Sequence, residues 1–275
     1  MSARFFGSES LSLHGVYRPP RSVDDTIKSV LICPPIGHEY LRTHWALRLL
    51  AKQLARKGNH VLRFDYRGLG DSSGDPSDVV SIDQWLEDID FAVEHLKEVS
   101  DADSVMMLGL RMGASMAAQT AARREDVNSV VLWEPVVSGS DYLRRLRKTH
   151  QLMIDLWYGE VETVNDESSE EVLGTLYRRE LLDEIGRWSL NLDSLEVPQL
   201  VVQLQDDSFE STWLAWQKQL SVTDERSWDK LSDLELAWLR PRTSNMISRM
   251  IDEMFERLEQ REMLSGSREL EGVLT

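Results

Sequence analysis

The stretch SVMMLGLRMGASMAAQT spans residues 104–120. Residues 105–108 form an apolar run suited to a buried strand. Gly109-Leu110-Arg111-Met112-Gly113 follows, and from Ala114 the sequence turns Ala-rich and helical. Strand, sharp turn and helix thus succeed one another with no linker. Gly109 and Gly113 flank Arg111 because so tight a turn strains its central residue and brings neighbouring backbones too close for a Cβ. The apex carries a permanently charged side chain.

Upstream, the chain alternates between strand and helix signals. Residues 4–6 and 11–17 (LSLHGVY in the latter) read as an antiparallel hairpin closed by Pro19-Pro20. Residues 30–33, VLIC, suit a strand covered on both faces and end at Pro34-Pro35-Ile36-Gly37. A loop, HEYLRT, is expected next, then a helix capped by Thr43 with Leu47, Leu50 and Leu54 at helical spacing and Gly58 at its end. Residues 61–65 form the next strand, which opens into the turn-rich YRGLGDSSG. Ser81 and Gln84 make a capping box for a helix running to about Val99, with Trp85, Ile89, Ala92, Val93 and Leu96 on one face.

Downstream, residues 129–133, SVVLW, form a buried strand closed by Glu134-Pro135. Residues 141–196 change texture. DYLRRLRKTHQLMIDLWYG and EVLGTLYRRELLDEIGRWSL read as helices around a polar, acidic link, and together as a helical lid inserted between a first core part (1–140) and a second (197–264). VPQLVVQL returns to strand character and ends in Gln205-Asp206-Asp207. A helix over 210–220, a weak strand over 234–239 and a final helix capped by Thr243 or Ser244 follow, the last with Ile247, Met250, Ile251, Met254 and Leu258 as its stripe. Residues 265–275 are expected to be a flexible tail.

This alternation predicts an α/β fold: a mostly parallel sheet with helices on both faces. Ligands of such sheets bind at the carboxyl ends of the strands. The segment 34–38, Asp65, Arg111 and Glu134 all fall at that end, which points to one site.

Composition narrows the partners. With 275 residues, 41% hydrophobic and 28% charged, the chain has the makings of a substantial core. A net charge of −16 argues against nucleic acid or an anionic membrane as main partner. Cys33 is the only cysteine, so no internal disulfide can form. MSARFFGSES lacks the pattern of a secretory signal and no apolar run reaches bilayer length, so the expectation is a cytoplasmic protein that does not span a membrane. No cofactor is called for. His38 and His44, with five residues between them across a loop–helix junction, match zinc-binding spacing poorly, and no metal is expected.

In this order the elements resemble the α/β-hydrolase superfamily over nearly the whole chain. The resemblance rests on the strand with its PPIG loop, on DYRGLGDSSG, on GLRMGAS in the place of the G-x-S-x-G nucleophile elbow, on the helical insertion and on the strand ending in QDD. More narrowly, ARFFG, CPPIGHEY, GLRMGA and LWEPVVSG resemble the hydrolase-like proteins encoded with exosortase systems in bacterial exopolysaccharide clusters, some with Arg at the elbow. The superfamily's chemistry implies a nucleophile at residue 111, oxyanion donors at the Ile36 and Met112 N–H groups, an acid at Asp206 or Asp207 or at Glu134, and a histidine base after the last strand. Neither the nucleophile nor the base is present. A guanidinium stays protonated and offers no lone pair. The six histidines are His14, His38, His44, His60, His95 and His150, with none further on.

The resemblance therefore implies a hydrolase-like protein without a Ser-His-Asp triad: a pseudo-hydrolase binding a small anionic or acyl-bearing ligand, or a partner protein. The candidate ligand-binding residues are Ile36, Gly37, His38, Arg111, Met112, Glu134 and Asp206. Two alternatives stand beside it. One is a divergent ester or thioester hydrolase or acyltransferase in which Arg111 binds a substrate carboxylate and His38 or a carboxylate activates water. The other is an assembly component of an exopolysaccharide system. Arg111 itself has two readings, pairing with an internal carboxylate (Glu134 or Asp206) or with a bound anion, because a cation at a helix N-terminus needs negative charge beside it. Cys33 reads as an inert core thiol, Ser115 as a packing residue, and Asp65 and Asp71 as loop-holding residues.

Overall fold

The computed structural model describes residues 1–21, 28–155, 163–205, 208–213 and 218–223. Apolar alternation folds β1 (Ser2–Ser8) against β2 (Leu11–Arg18) as the expected hairpin, with Leu13 and Tyr17 of β2 turned inward. The uninterrupted apolar runs become β3 (Lys28–Cys33), β4 (Asn59–Phe64), β5 (Val105–Leu110), β6 (Val127–Trp133) and β9 (Gln199–Gln205), which pair in parallel in the order β4-β3-β5-β6-β9. Strands covered on both sides need no polar face, and every residue of β5 is buried.

α1 (Gly37–Arg56) covers one face. Leu47, Leu50, Ala51 and Leu54 pack on Val30, Ile32, Val61 and Met106. α2 (Ile82–Ser100) and α3 (Met112–Ala121) cover the other, around Trp85, Ile89, Val93, Met116 and Ala117. The Ser81–Gln84 capping box forms, and Asp101 ends α2 in the left-handed conformation. The mostly parallel sheet with helices on both faces is thus as the alternation predicts.

Three local expectations are corrected. First, HEYLRT is helix, so α1 starts at Gly37. Thr43 is buried inside it and donates its Oγ1 hydroxyl to the Tyr40 carbonyl at 3.3 Å instead of capping. Pro35 bars the helix from extending backwards, and Gly37, at φ 56°, makes the turn into it.

Second, the described residues within 210–220 are strand, not the expected helix. β10 (Ser208–Trp213) pairs antiparallel with β9 and with β11 (Lys218–Thr223), extending the sheet edge. Aromatic and hydroxyl residues in SFESTW suit a strand better than a helix.

Third, EVLGTLYR is a hairpin. β7 (Ser169–Val172) and β8 (Thr175–Arg178) meet across Leu173-Gly174, both at positive φ (53° and 77°), the backbone that two-residue hairpins use. Around it, α4 (Gly139–Met153) and α5 (Arg179–Arg187) are helical as read. The readings over 234–239, over 243–258 and for the tail, and those for Asp206 and Asp207, lie outside the described residues. No helix among the described residues is long and apolar enough to cross a membrane.

Candidate functional site at the strand-to-helix elbow

β5 delivers the chain to the elbow and α3 carries it away. Arg111 between them sits at φ 54°, ψ −123°, a backbone that L-residues rarely adopt. A Cβ on Gly109 would come within 2.3 Å of the Ala114 Cα, and one on Gly113 within 2.1 Å of the Pro34 carbonyl oxygen. Both glycines are therefore steric necessities. The Arg111 N–H donates to Trp133 O at 2.9 Å, tying the apex to β6.

The guanidinium finds its main partner in a residue that sequence reasoning missed. Arg111 Nε donates to Glu39 Oε1 at 2.8 Å, and the Tyr142 hydroxyl donates to Glu39 Oε2 at 2.9 Å, so both carboxylate oxygens are engaged. The Tyr142 ring lies 5.5 Å from the guanidinium carbon, within cation–π range. Glu134 is a secondary partner: Nη1 donates to its carbonyl at 3.3 Å and lies 3.7 Å from Oε2. The expected Glu134 pairing is thus present but is the weaker one. Glu39 became invisible when α1 was read as starting at Thr43. With the helix beginning at Gly37, Glu39 falls in its first turn, where a carboxylate is favoured, and faces the elbow.

Electrostatics follow from this geometry. Arg111, Glu39 and Glu134 side chains are only 11–13% exposed. Burial opposes the charge on Arg111, but Glu39 and then Glu134 outweigh it, and the guanidinium holds its proton more tightly than a free one. Burial and then Glu39 drive the Tyr142 hydroxyl far above the ordinary tyrosine range, so it stays a donor.

The other sequence candidates fall around this cluster. Ile36 is buried and precedes α1 as its cap residue. Met112 is buried and opens α3, so its N–H has no partner within the helix. Gly37 lies under Tyr177, where a Cβ would meet the phenol oxygen at 1.8 Å. His38 is half-buried with its Nε2 enclosed and unbonded. Burial and then Arg42 push its pKa down, so it is neutral at pH 7. Ser115 donates to the Val136 carbonyl at 2.9 Å, and burial pushes the Cys33 thiol up, out of reach of thiolate chemistry. Asp65 holds its loop through the Asp71 N–H and, by its carbonyl, the Ser72 hydroxyl. The remaining histidines are engaged elsewhere, His14 with Asp65, His44 edge-on to the Tyr40 ring, His60 with Tyr17, His95 stacked on Phe6 and His150 accepting from the Leu173 N–H.

A parallel sheet of this order, with a strained elbow between its central strand and the helix that follows, defines an α/β-hydrolase fold. The sequence model of the family described as serine aminopeptidase, S33 (Hydrolase_4) matches residues 28–207, and the chain belongs to that family. Among solved structures it is similar to Est1E from Butyrivibrio proteoclasticus with ferulic acid bound, at 17% identity over 73% of this chain and 78% of that chain, TM-score 0.54. A further structure of Est1E matches at 16% identity over 73% and 76%, TM-score 0.52. At such identities the likeness is one of fold. A comparison with curated proteins finds no match.

Proposed function

We propose that this chain is a hydrolase-fold protein that no longer carries out serine-triad hydrolysis and keeps the elbow as a binding centre. The observation that carries the reading is the 2.8 Å pair between Arg111 Nε and Glu39 at the apex where the nucleophile belongs. A protonated guanidinium cannot attack a carbonyl, and this one is held by a carboxylate that is itself held by Tyr142. Glu39 and Glu134 together carry more negative charge than Arg111 offsets. The ligand that suits this balance is an acyl group presenting a carbonyl oxygen to the Met112 and Ile36 N–H groups; a free anion has first to displace Glu39.

The segment 141–196 acts in this reading as a cover over the elbow, since it supplies Tyr142 to Glu39 and Tyr177 to Gly37. The chain's likeness to the exosortase-associated proteins supports a role beside an exopolysaccharide system. Glu39, Arg111 and Glu134 come one each from CPPIGHEY, GLRMGA and LWEPVVSG, the segments that carry that likeness, and they meet in one cluster.

A fluorophosphonate probe tests the reading. The protein is expected to remain unlabelled, and Arg111→Ser to remain without esterase activity because the sequence has no histidine after His150 to serve as base. Stoichiometric labelling of the unmodified protein overturns it. One observation favours a residual hydrolase or acyltransferase instead, the enclosed and unbonded His38 Nε2 one residue from Glu39. That reading requires turnover of an ester or thioester that disappears in both His38→Ala and Arg111→Ala.

A further inference from the structure

α1 turns to solvent a face whose charge is opposite to that of the molecule. Arg42, Arg48, Lys52 and Arg56 are all exposed, and Lys57 follows as the cap. The spacing of Leu41, Trp45, Arg48, Lys52 and Arg56, alternating between one-turn steps, sets these five on one line along the helix. Glu39, the only acid of α1, is buried against Arg111, so no carboxylate of the helix interrupts the line. Among the described residues no carboxylate comes within ion-pair distance of Arg48, Lys52 or Arg56. The chain as a whole has 47 acidic and 31 basic residues, so this face departs from the average in sign as well as in density.

Two apolar side chains head the line. Leu41 is 71% exposed and Trp45 63%, while Leu47, Leu50 and Leu54 of the same helix are closed into the core. They stand one turn apart and beside one another. An exposed indole next to a leucine, with cations in line behind them, is the set of side chains that settles at a bilayer surface: the ring lies at headgroup level and the cations meet lipid phosphates. A helix face is convex. A protein partner would need a groove to enclose the indole, whereas mobile headgroups close round it.

The net charge of −16 does not forbid such a contact. The exposed acids of α2, Asp83, Glu87, Glu94 and Glu98, lie across the sheet from α1. Two packed layers of about 10 Å each separate the helices, and the screening length at physiological salt is about 8 Å. A surface facing α1 therefore meets the cations first. Asp71, which is exposed, stands at the His44 edge of the face, off the line. We propose that the α1 face docks on an anionic lipid surface, with Leu41 and Trp45 entering the headgroup layer and Arg48, Lys52 and Arg56 on lipid phosphates. The helix stays packed on its sheet, so the contact is peripheral and reversible. This surface is separate from the acyl-binding reading of the elbow and stands without it.

The test is flotation of the full chain with vesicles of phosphatidylcholine alone and of an equal mixture with phosphatidylglycerol, at low and at high salt. Binding is expected to the mixed vesicles only, and to fall away at high salt. Arg48→Gln/Lys52→Gln/Arg56→Gln alters exposed positions alone and should leave the melting temperature unchanged while weakening binding on the order of a hundredfold, about fivefold for each cation removed. Brominated acyl chains should quench the tryptophan fluorescence of the bound protein, and Trp45→Ser should lose most of that quenching. No binding to the mixed vesicles at low salt, equal binding to both compositions, or full binding by the triple variant overturns the proposal. Binding of polyglutamate but not of mixed vesicles also overturns it, and assigns the face to an acidic protein.

Discussion

Arg111 occupies a position where its charge is doubly awkward, at a helix N-terminus and largely out of water, and Glu39 is what makes it tolerable. Glu39→Gln removes the main counter-charge and leaves Glu134 as the remaining one among the described residues. The expected loss is roughly 3 kcal/mol, the low end for breaking a buried pair, read as a shift of the urea midpoint. Glu39→Gln/Arg111→Met, which removes both charges, should recover most of that loss, and a double variant as unstable as the single one would refute the pairing. Cys33 gives a second residue-scale check. Its thiol is fully buried, so a maleimide should react only as fast as the protein unfolds.

At the scale of elements, the inserted hairpin and the first turn of α1 are fitted to one another. Gly37→Ala puts a Cβ 1.8 Å from the Tyr177 hydroxyl at a φ of 56°, so overpacking and backbone strain add, and a loss of about 3 kcal/mol or more is expected in thermal denaturation. Gly174, in the β7–β8 turn, has positive φ but nothing within 4 Å of a new Cβ. Gly174→Asn should therefore cost less than about 1 kcal/mol, since Asn tolerates the left-handed region.

The strands of the parallel sheet were legible because runs such as VLIC and VMML have no polar face to place, and the elbow because its two glycines are steric requirements. The hairpin over 169–178 was not, since Leu, Arg and Glu on both sides of Leu173-Gly174 suit a helix by propensity and only the turn decides otherwise. The same kind of error hid Glu39: misplacing the cap of α1 by seven residues, at Thr43 instead of Ile36, moved an acid of the site into an apparent loop. Arg111 itself was legible as an anomaly, but its partner depends on which helices cross above the sheet, and periodicity carries no such information.

For the molecule as a whole, α2 is tied to the turn entering β6 by Asp126, which accepts from Lys97 Nζ at 2.7 Å and from Arg124 at 2.7 and 2.8 Å. Hydrogen bonding from Arg124, ahead of that from Lys97, lowers the Asp126 pKa to about 2. Its folded value lies below the unfolded one, near 3.9, so its contribution to stability is complete above about pH 4 and disappears as pH falls through about 2. Asp126→Asn should lower stability at neutral pH and flatten the acid limb of the stability profile. An unchanged slope between those limits would mean that the carboxylate is not held as described.

Glu39 and Tyr40 are consecutive residues of one helical turn, and they point to opposite errands: one steadies Arg111, the other reaches Asp65 just past the end of β4. A helical turn is stiff, and neither side chain can be dragged far without its neighbour. Replacing either side chain therefore disturbs the anchorage of the other, because the same turn of α1 carries both contacts.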